Sequence, residues 1–285
     1  MEIFNITNHQ FRKMNEYIPN NDINHMECTL YLLSNKNQWK KEYKLFKKFN
    51  NTNGEYFSSK LYIINELINN RRDIEMSELV YPDKLVSIDN EIVGYSMDFI
   101  KNNVNVNKLL NSNDVDFKFK INLLREIGAI LEKIKEKEII TLSDIHEGNF
   151  IYDLNRKSVR AVDLDSCKIG KNNGSLSKYL TFNPNLWDYP HKYPLNEDDI
   201  HIPNTNTSYL SYIYMILNFI SGCNYICDLP IDSYYRYLER LRNSGYSSEL
   251  IDIFALIYTN ADNETPLYLL DLISEEKVSC KGLLR

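Results

Sequence analysis

Apolar residues recur at two different periods along this chain, and the change of period divides it. From Tyr56 to Asn70, Leu61, Ile64, Leu67 and Ile68 return at helical spacing. Around that helix the pattern is strand-like: Met26 to Leu33 is β-branched and aromatic, and Pro82 to Met97 contains two alternating runs about the turn Asp89-Asn90. Beyond residue 102 the period becomes helical. In Phe117 to Glu138, Leu124, Ile127, Leu131 and Ile134 mark one face, Ile130 broadens it, and charges occupy the rest. Tyr209 to Ile220 is apolar nearly all round, which predicts a helix buried through the middle of a helical body and too short to span a bilayer. Further helices are expected near Ser233 to Arg242, Ser248 to Tyr258 and Pro266 to Ser274, the last opened by a Thr265-Pro266 cap. Residues 168 to 206 hold four prolines and little periodicity. The class predicted is α+β, with strands gathered early and helices late.

One hairpin interrupts the helical part. Phe150-Ile151-Tyr152, the polar turn Asp153 to Lys157, and a run ending Ala161-Val162 read as two antiparallel strands. A turn centred on Arg156 sets Asn149 opposite Asp163, about 5 Å apart at Cα. A carboxylate and an amide oxygen so placed suit Mg²⁺, which keeps its other positions for water and phosphate oxygens. Asp144 faces the same spot from the preceding loop.

Composition narrows the setting. With 285 residues and 43% hydrophobic content the chain can bury a large core. A net charge of −6 and a pI near 5.5 argue against sequence-independent nucleic-acid binding, so no nucleic-acid partner is expected. The five cysteines show no metal-finger spacing and read as reduced thiols. The start lacks an apolar signal core, and no run approaches a membrane span, so a soluble cytoplasmic protein without a membrane partner is expected.

Asp144-Ile145-His146-Glu147-Gly148-Asn149, followed after the hairpin by Asp163-Leu164-Asp165, resembles the catalytic loop and metal-binding segment of the protein-kinase-like superfamily. Its wording is closer to atypical bacterial and small-molecule kinases of the aminoglycoside-phosphotransferase type than to eukaryotic protein kinases. The resemblance implies a two-lobed fold, with residues 1–97 a small β-rich lobe carrying one helix, 98–102 a hinge, and 103–285 a mainly helical lobe. It implies ATP and Mg²⁺ as cofactors, Asp144 as catalytic base, and Asn149 and Asp163 as metal ligands. Transfer of the γ-phosphoryl group to a hydroxyl of an unidentified small molecule or protein follows. The alternative is a pseudokinase, a nucleotide-binding or interaction module.

The same resemblance assigns the remaining groups. One lysine must pair the α and β phosphates. Tyr43-Lys44-Leu45-Phe46 offers the best apolar-Lys-apolar match, with Lys40, Lys41 and Lys47 as rivals. Glu66 is the only acid in the periodic part of the early helix and is the candidate to orient that lysine. Met97 would line the back of the adenine pocket, the Asp98 carbonyl would accept from the purine amino group, and the Ile100 amide would donate to a ring nitrogen. Departures accompany these matches. Residues 1 to 53 contain no glycine for a phosphate-covering loop, leaving Asn24-His25 and the following strand as either a degenerate version or an ordinary core strand. Leu142-Ser143 replace His-Arg, and no Ala-Pro-Glu segment occurs. Ser208 stands where such kinases anchor the catalytic loop with an aspartate. His146 reads as a loop-packing residue, and Asp165 as either a second metal ligand or a turn residue.

Overall fold

The computed structural model describes residues 3–18, 27–34, 43–172, 174–175, 205–222, 229–256 and 270–273. The chain runs β1 (Ile3–Ile6), α1 (Asn8–Phe11), β2 (Cys28–Ser34), β3 (Tyr43–Phe49), α2 (Glu55–Asn69), α3 (Arg71–Ile74), β4 (Pro82–Ile88), β5 (Glu91–Asp98), β6 (Asn103–Asn105), α4 (Val106–Asn111) and α5 (Phe117–Lys137). It continues through β7 (Ile140–Thr141), β8 (Phe150–Asp153), β9 (Ser158–Ala161), β10 (Lys168–Ile169), α6 (Thr205–Ser221), α7 (Ile231–Asn243) and α8 (Ser248–Leu256). This is an α+β fold. Most of the expected helix at Pro266 to Ser274, its Thr265-Pro266 cap, most of the 168–206 segment, Lys40, Lys41 and the turn Asn24-His25 lie outside the described residues; of that helix, residues 270–273 are described and open with a 3-10 turn.

Five strands form one mixed sheet in the order β1-β4-β5-β3-β2. β1 runs parallel to β4 and the other pairs are antiparallel. The β4–β5 turn falls at Asp89 and Asn90, whose φ values of 48° and 73° are the left-handed pair a two-residue hairpin needs. Helix α2 covers one face: Phe57 and Ile64 join Phe49, Tyr95 and Met97. The other face packs Phe46, Val86 and Ile88 beneath Phe11 of α1. Because the strand period is two, Leu45 and Lys47 of β3 point to the α2 side and Lys44 and Phe46 to the other.

Helix α5 starts at an Asp116 cap, whose carboxylate accepts from the Phe119 amide at 3.0 Å, and ends on Glu138 at φ 58°. Every position expected on its apolar face is buried. It packs on α6, most of whose apolar side chains are buried, with Ile213 and Phe219 partly so, and the Tyr212 hydroxyl donates to the Leu124 carbonyl at 2.7 Å. Among the described residues no helix is long and apolar enough to cross a membrane.

The β8–β9 hairpin forms with a register different from the expected one. Phe150 pairs with Ala161 and Asp153 with Ser158, so Leu154 to Lys157 make a four-residue turn. Asp153 fixes that turn, accepting from the amides of Asn155 (2.9 Å) and Arg156 (3.2 Å), and Lys157 closes it at φ 55°. Asn149 therefore faces Val162, whose amide donates to the Asn149 carbonyl at 2.9 Å, and not Asp163. A one-residue offset points a side chain to the opposite face. Asp163 corrects for it by turning left-handed, at φ 64° and ψ 43°, as the strand gives way to the 3-10 turn Leu164–Ser166.

Candidate active site

The loop after β7 is held from three sides. The Ser143 hydroxyl donates to the Ser166 carbonyl at 2.6 Å, and the Ser208 hydroxyl of α6 donates to the Leu142 carbonyl. Asn105, which caps α4 by accepting from the Asn107 amide, donates its side-chain amide to the Gly148 carbonyl at 2.9 Å. Within the loop, His146 Nδ1 accepts from the Gly148 amide at 3.1 Å, leaving Nε2 toward Asp144 at 3.8 Å. A Cβ on Gly148 would meet that imidazole at 2.8 Å, so the glycine is what lets the ring lie there.

Asn149 lies on the 3-10 turn that follows. Its side-chain amide donates to the Asp144 carbonyl (2.9 Å) and carboxylate (3.2 Å), leaving the amide oxygen for other partners. Burial pushes the Asp144 carboxyl above its ordinary range; a protonated His146 would lower it, the Asp163 charge raises it, and the Asn149 hydrogen bond lowers it.

Asp144, Asn149 and Asp163 thus come together, with the last two at the floor of a cavity of about 400 Å³ between the sheet and the loop. Leu45, Val80 and Met97 line its apolar part; Asp98 and Ile100, at the end of β5, form one wall. The Cys28 thiol on its margin is pushed up to about 11 by burial. Tyr17 stands edge-on to Phe99 at 5.1 Å across the mouth.

The lysine in the cavity is Lys47. Its ammonium contacts Asp163 and lies 2.7 Å from Asp165. Lys44, the expected phosphate ligand, points away from the cavity into an exposed cluster with Asp98 (2.6 Å) and Asp83 (3.3 Å). The reason is strand parity: Lys47 shares its side with Leu45 and Phe49, both packed beneath α2. Gly94 of β5 lets this stretch of β3 approach, since a Cβ there would lie 2.0 Å from the Lys47 carbonyl oxygen.

Glu66 is also elsewhere, accepting from Asn70 at 3.2 Å and bordering Gly170. Helix α2 instead turns Lys60 inward, 2.9 Å from Asp165 and 2.7 Å from the Ser166 hydroxyl. Asp165 is fully buried and accepts from the Tyr95 hydroxyl at 2.9 Å as well. Burial works against both ammonium groups, but the Asp163 and Asp165 charges outweigh it and hold Lys47 well above, and Lys60 above, the usual lysine value. Burial likewise opposes the Asp165 carboxylate, and the two lysines override it, keeping its pKa far below the usual range. Lys60 has a signal in the sequence: Phe57, Lys60, Ile63, Ile64 and Leu67 form one buried stripe, with a cation at a core position.

Among the described residues no group of three or more His, Cys, Asp or Glu could hold a metal by itself. Asp163, about one-third exposed, and the Asn149 amide oxygen offer two hard oxygen donors, which fits Mg²⁺ completed by water and substrate phosphates. Compared with protein-family models and with curated proteins, the sequence matches none.

Proposed function

We propose that this chain is an ATP- and Mg²⁺-dependent phosphotransferase of two-lobed, kinase-like design that moves a γ-phosphoryl group to a hydroxyl of a small molecule or protein. The observation that carries this reading is the convergence of Lys47 on Asp163, beside Asn149 and Asp144, at one end of a cavity whose other end is apolar. A flat purine suits the apolar end, and a polyphosphate suits the end that holds a buried ammonium. Asp98 to Ile100, where β5 leaves the sheet, would supply main-chain groups to the base.

Asn149 and Asp163 would hold Mg²⁺, which when bound neutralises charge on the phosphate oxygens. Lys47 orients the phosphate chain as a fixed cation. Asp144 accepts the proton of the acceptor hydroxyl while that oxygen bonds to the γ-phosphorus and the bond to the bridging oxygen breaks, releasing ADP. A carboxyl held above its ordinary range is a stronger base for that proton, and Asn149 keeps it aimed. An activity of this kind would suit the cytoplasm, where ATP and Mg²⁺ are both supplied.

A second reading, a nucleotide-binding module without turnover, is favoured by the direct contact of Lys47 with Asp163, which engages the metal-binding carboxylate itself. One pair of variants separates the two. Asp163→Ala is expected to abolish Mg²⁺-dependent stabilisation by ATP in a thermal-shift assay. Asp144→Ala is expected to keep the stabilisation and lose transfer from labelled ATP. Stabilisation of the wild type without any transfer or ATP turnover would favour the module, and a wild type that Mg²⁺-ATP does not stabilise would refute both.

A further inference from the structure

A lysine in the buried stripe of a helix is costly unless a counter-charge meets it with good geometry. Lys60 is 4% exposed, and Asp165 meets it. The two oxygens of that carboxylate divide their work. Oδ1 takes the Lys60 ammonium at 2.9 Å, while Oδ2 takes the Lys47 ammonium at 2.7 Å and the Tyr95 hydroxyl at 2.9 Å. Lys47 reaches Asp163 at the same time. Four charges therefore alternate in a chain, Lys60, Asp165, Lys47 and Asp163, that runs from the middle of α2 to the edge of the cavity.

We infer that Lys60 and Asp165 are positioning residues for Lys47, with the acid supplied by the turn after Asp163 and a cation supplied by α2. The inference rests on the phosphotransferase reading. Its physical content is a division of charge. Lys47 sits between two carboxylates, and were Asp165 not shared with Lys60 its full charge would draw the Lys47 ammonium back from the cavity. Lys60 takes up half of Asp165, so Lys47 is anchored through one oxygen and keeps its reach toward Asp163 and a phosphate. The Ser166 hydroxyl, 2.7 Å from Lys60, and Tyr95 on the far oxygen fix the orientation of the bridge. This arrangement also answers the question that Glu66 leaves open: the helix does hold the lysine in place, through Lys60 and an intervening acid.

The test uses the full chain and two probes, Mg²⁺-ATP and adenosine, which lacks the phosphates Lys47 would meet. Affinities are measured by calorimetric titration and unliganded stability by thermal melting. Lys60→Met is expected to weaken Mg²⁺-ATP about tenfold or more and adenosine by no more than about twofold, and Lys60→Arg to recover Mg²⁺-ATP to within about threefold. Should Lys60→Met fail to fold, Lys60→Met/Asp165→Asn removes the two charges together and carries the same expectation. Equal weakening of both probes would mean that the pair only supports the scaffold, and wild-type affinity for Mg²⁺-ATP in the double variant would mean that Lys47 needs no anchor. Either result overturns the inference while leaving the phosphotransferase reading intact. A wild type that binds neither probe overturns that reading, and the inference with it.

Discussion

Replacing Gly94 with alanine tests the geometry that brings Lys47 to the cavity. Gly94 pairs with Val86 on one side and with Lys48 on the other, and a bulge at Val93 shifts the register just before it. The added Cβ would lie 2.0 Å from the Lys47 carbonyl oxygen, 3.0 Å from its carbonyl carbon and 3.1 Å from the Lys48 Cα. All three are main-chain atoms, so no rotamer change relieves the clash. Reaching even a tight contact requires β3 and β5 to part by about 1 Å, against a normal strand spacing of about 4.8 Å. That loosens two or so ladder hydrogen bonds, each worth about 1 kcal/mol, and opens the packing of Phe49 and Tyr95, for a total of about 2–4 kcal/mol. In a chain of this size the melting temperature should fall by roughly 3–7 °C. Because the displaced backbone is that of Lys47, Mg²⁺-ATP affinity should fall with it, whereas a purely global loss of stability would leave the affinity of the folded fraction unchanged. A Gly94→Ala protein that melts like the wild type would refute the close approach of β5 to β3.

Two further outcomes follow from the site. Lys47→Met should abolish Mg²⁺-ATP stabilisation in thermal shift, while Lys44→Met, which removes a solvent-screened ion pair, should keep it and change stability by no more than about 1 kcal/mol; the reverse pattern would return the phosphate-binding role to Lys44. Asp144 binds its proton more tightly in the folded protein than in the unfolded chain, so its contribution falls as pH rises through the folded pKa, and ionisation at neutral pH works against folding. Asp144→Asn should therefore melt higher than the wild type at pH 7, with the difference shrinking as pH is lowered into the ordinary carboxylate range; thermal melts of both proteins across pH measure this, and a lower melting temperature for the variant at pH 7 would contradict it.

Much of the frame is legible where one physical rule dominates. The apolar face of α5, the all-round apolar α6 and the turn at Asp89-Asn90 each follow from periodicity or backbone chirality alone, and the structure places them as expected. The proximity of Asp144 and Asn149 is legible because only a short loop separates them, and the Asn149 amide does reach the Asp144 carbonyl and carboxylate. The lysine that lines the cavity is less legible. Four of the five lysines in Gln38 to Phe49 are candidates, and the choice depends on which side of β3 faces α2, a tertiary fact that the flanking residues indicate only weakly. An apolar-Lys-apolar match favours Lys44, but Leu45 and Phe49, two residues either side of Lys47, identify the buried side. From its local sequence Asp165 reads as a turn residue or a metal ligand. In the structure it meets Lys60, more than a hundred positions earlier, and no local pattern joins the two. The hairpin register failed for a related reason: the Asp153 side chain builds a four-residue turn, which symmetry about Arg156 does not anticipate.

That turn carries a restriction out of keeping with its location. Leu154 is half exposed at the hairpin tip, where insertions and deletions are ordinarily tolerated. Here the tip acts as a reading frame. Its length decides that Val162 falls beside Asn149 and contributes to the apolar wall, while Asp163, one step later, is delivered to the polar floor. Adding or removing a single residue, with the pairing shifted by one, would exchange these two, bring a methyl-bearing side chain to the floor in place of a carboxylate, and turn Val159 and Ala161 of β9 away from the core they help to fill. In lineages that descend from this fold, residues 154–156 should therefore vary freely in identity, 157 should keep to residues that tolerate a left-handed backbone, and the turn should hardly change in length.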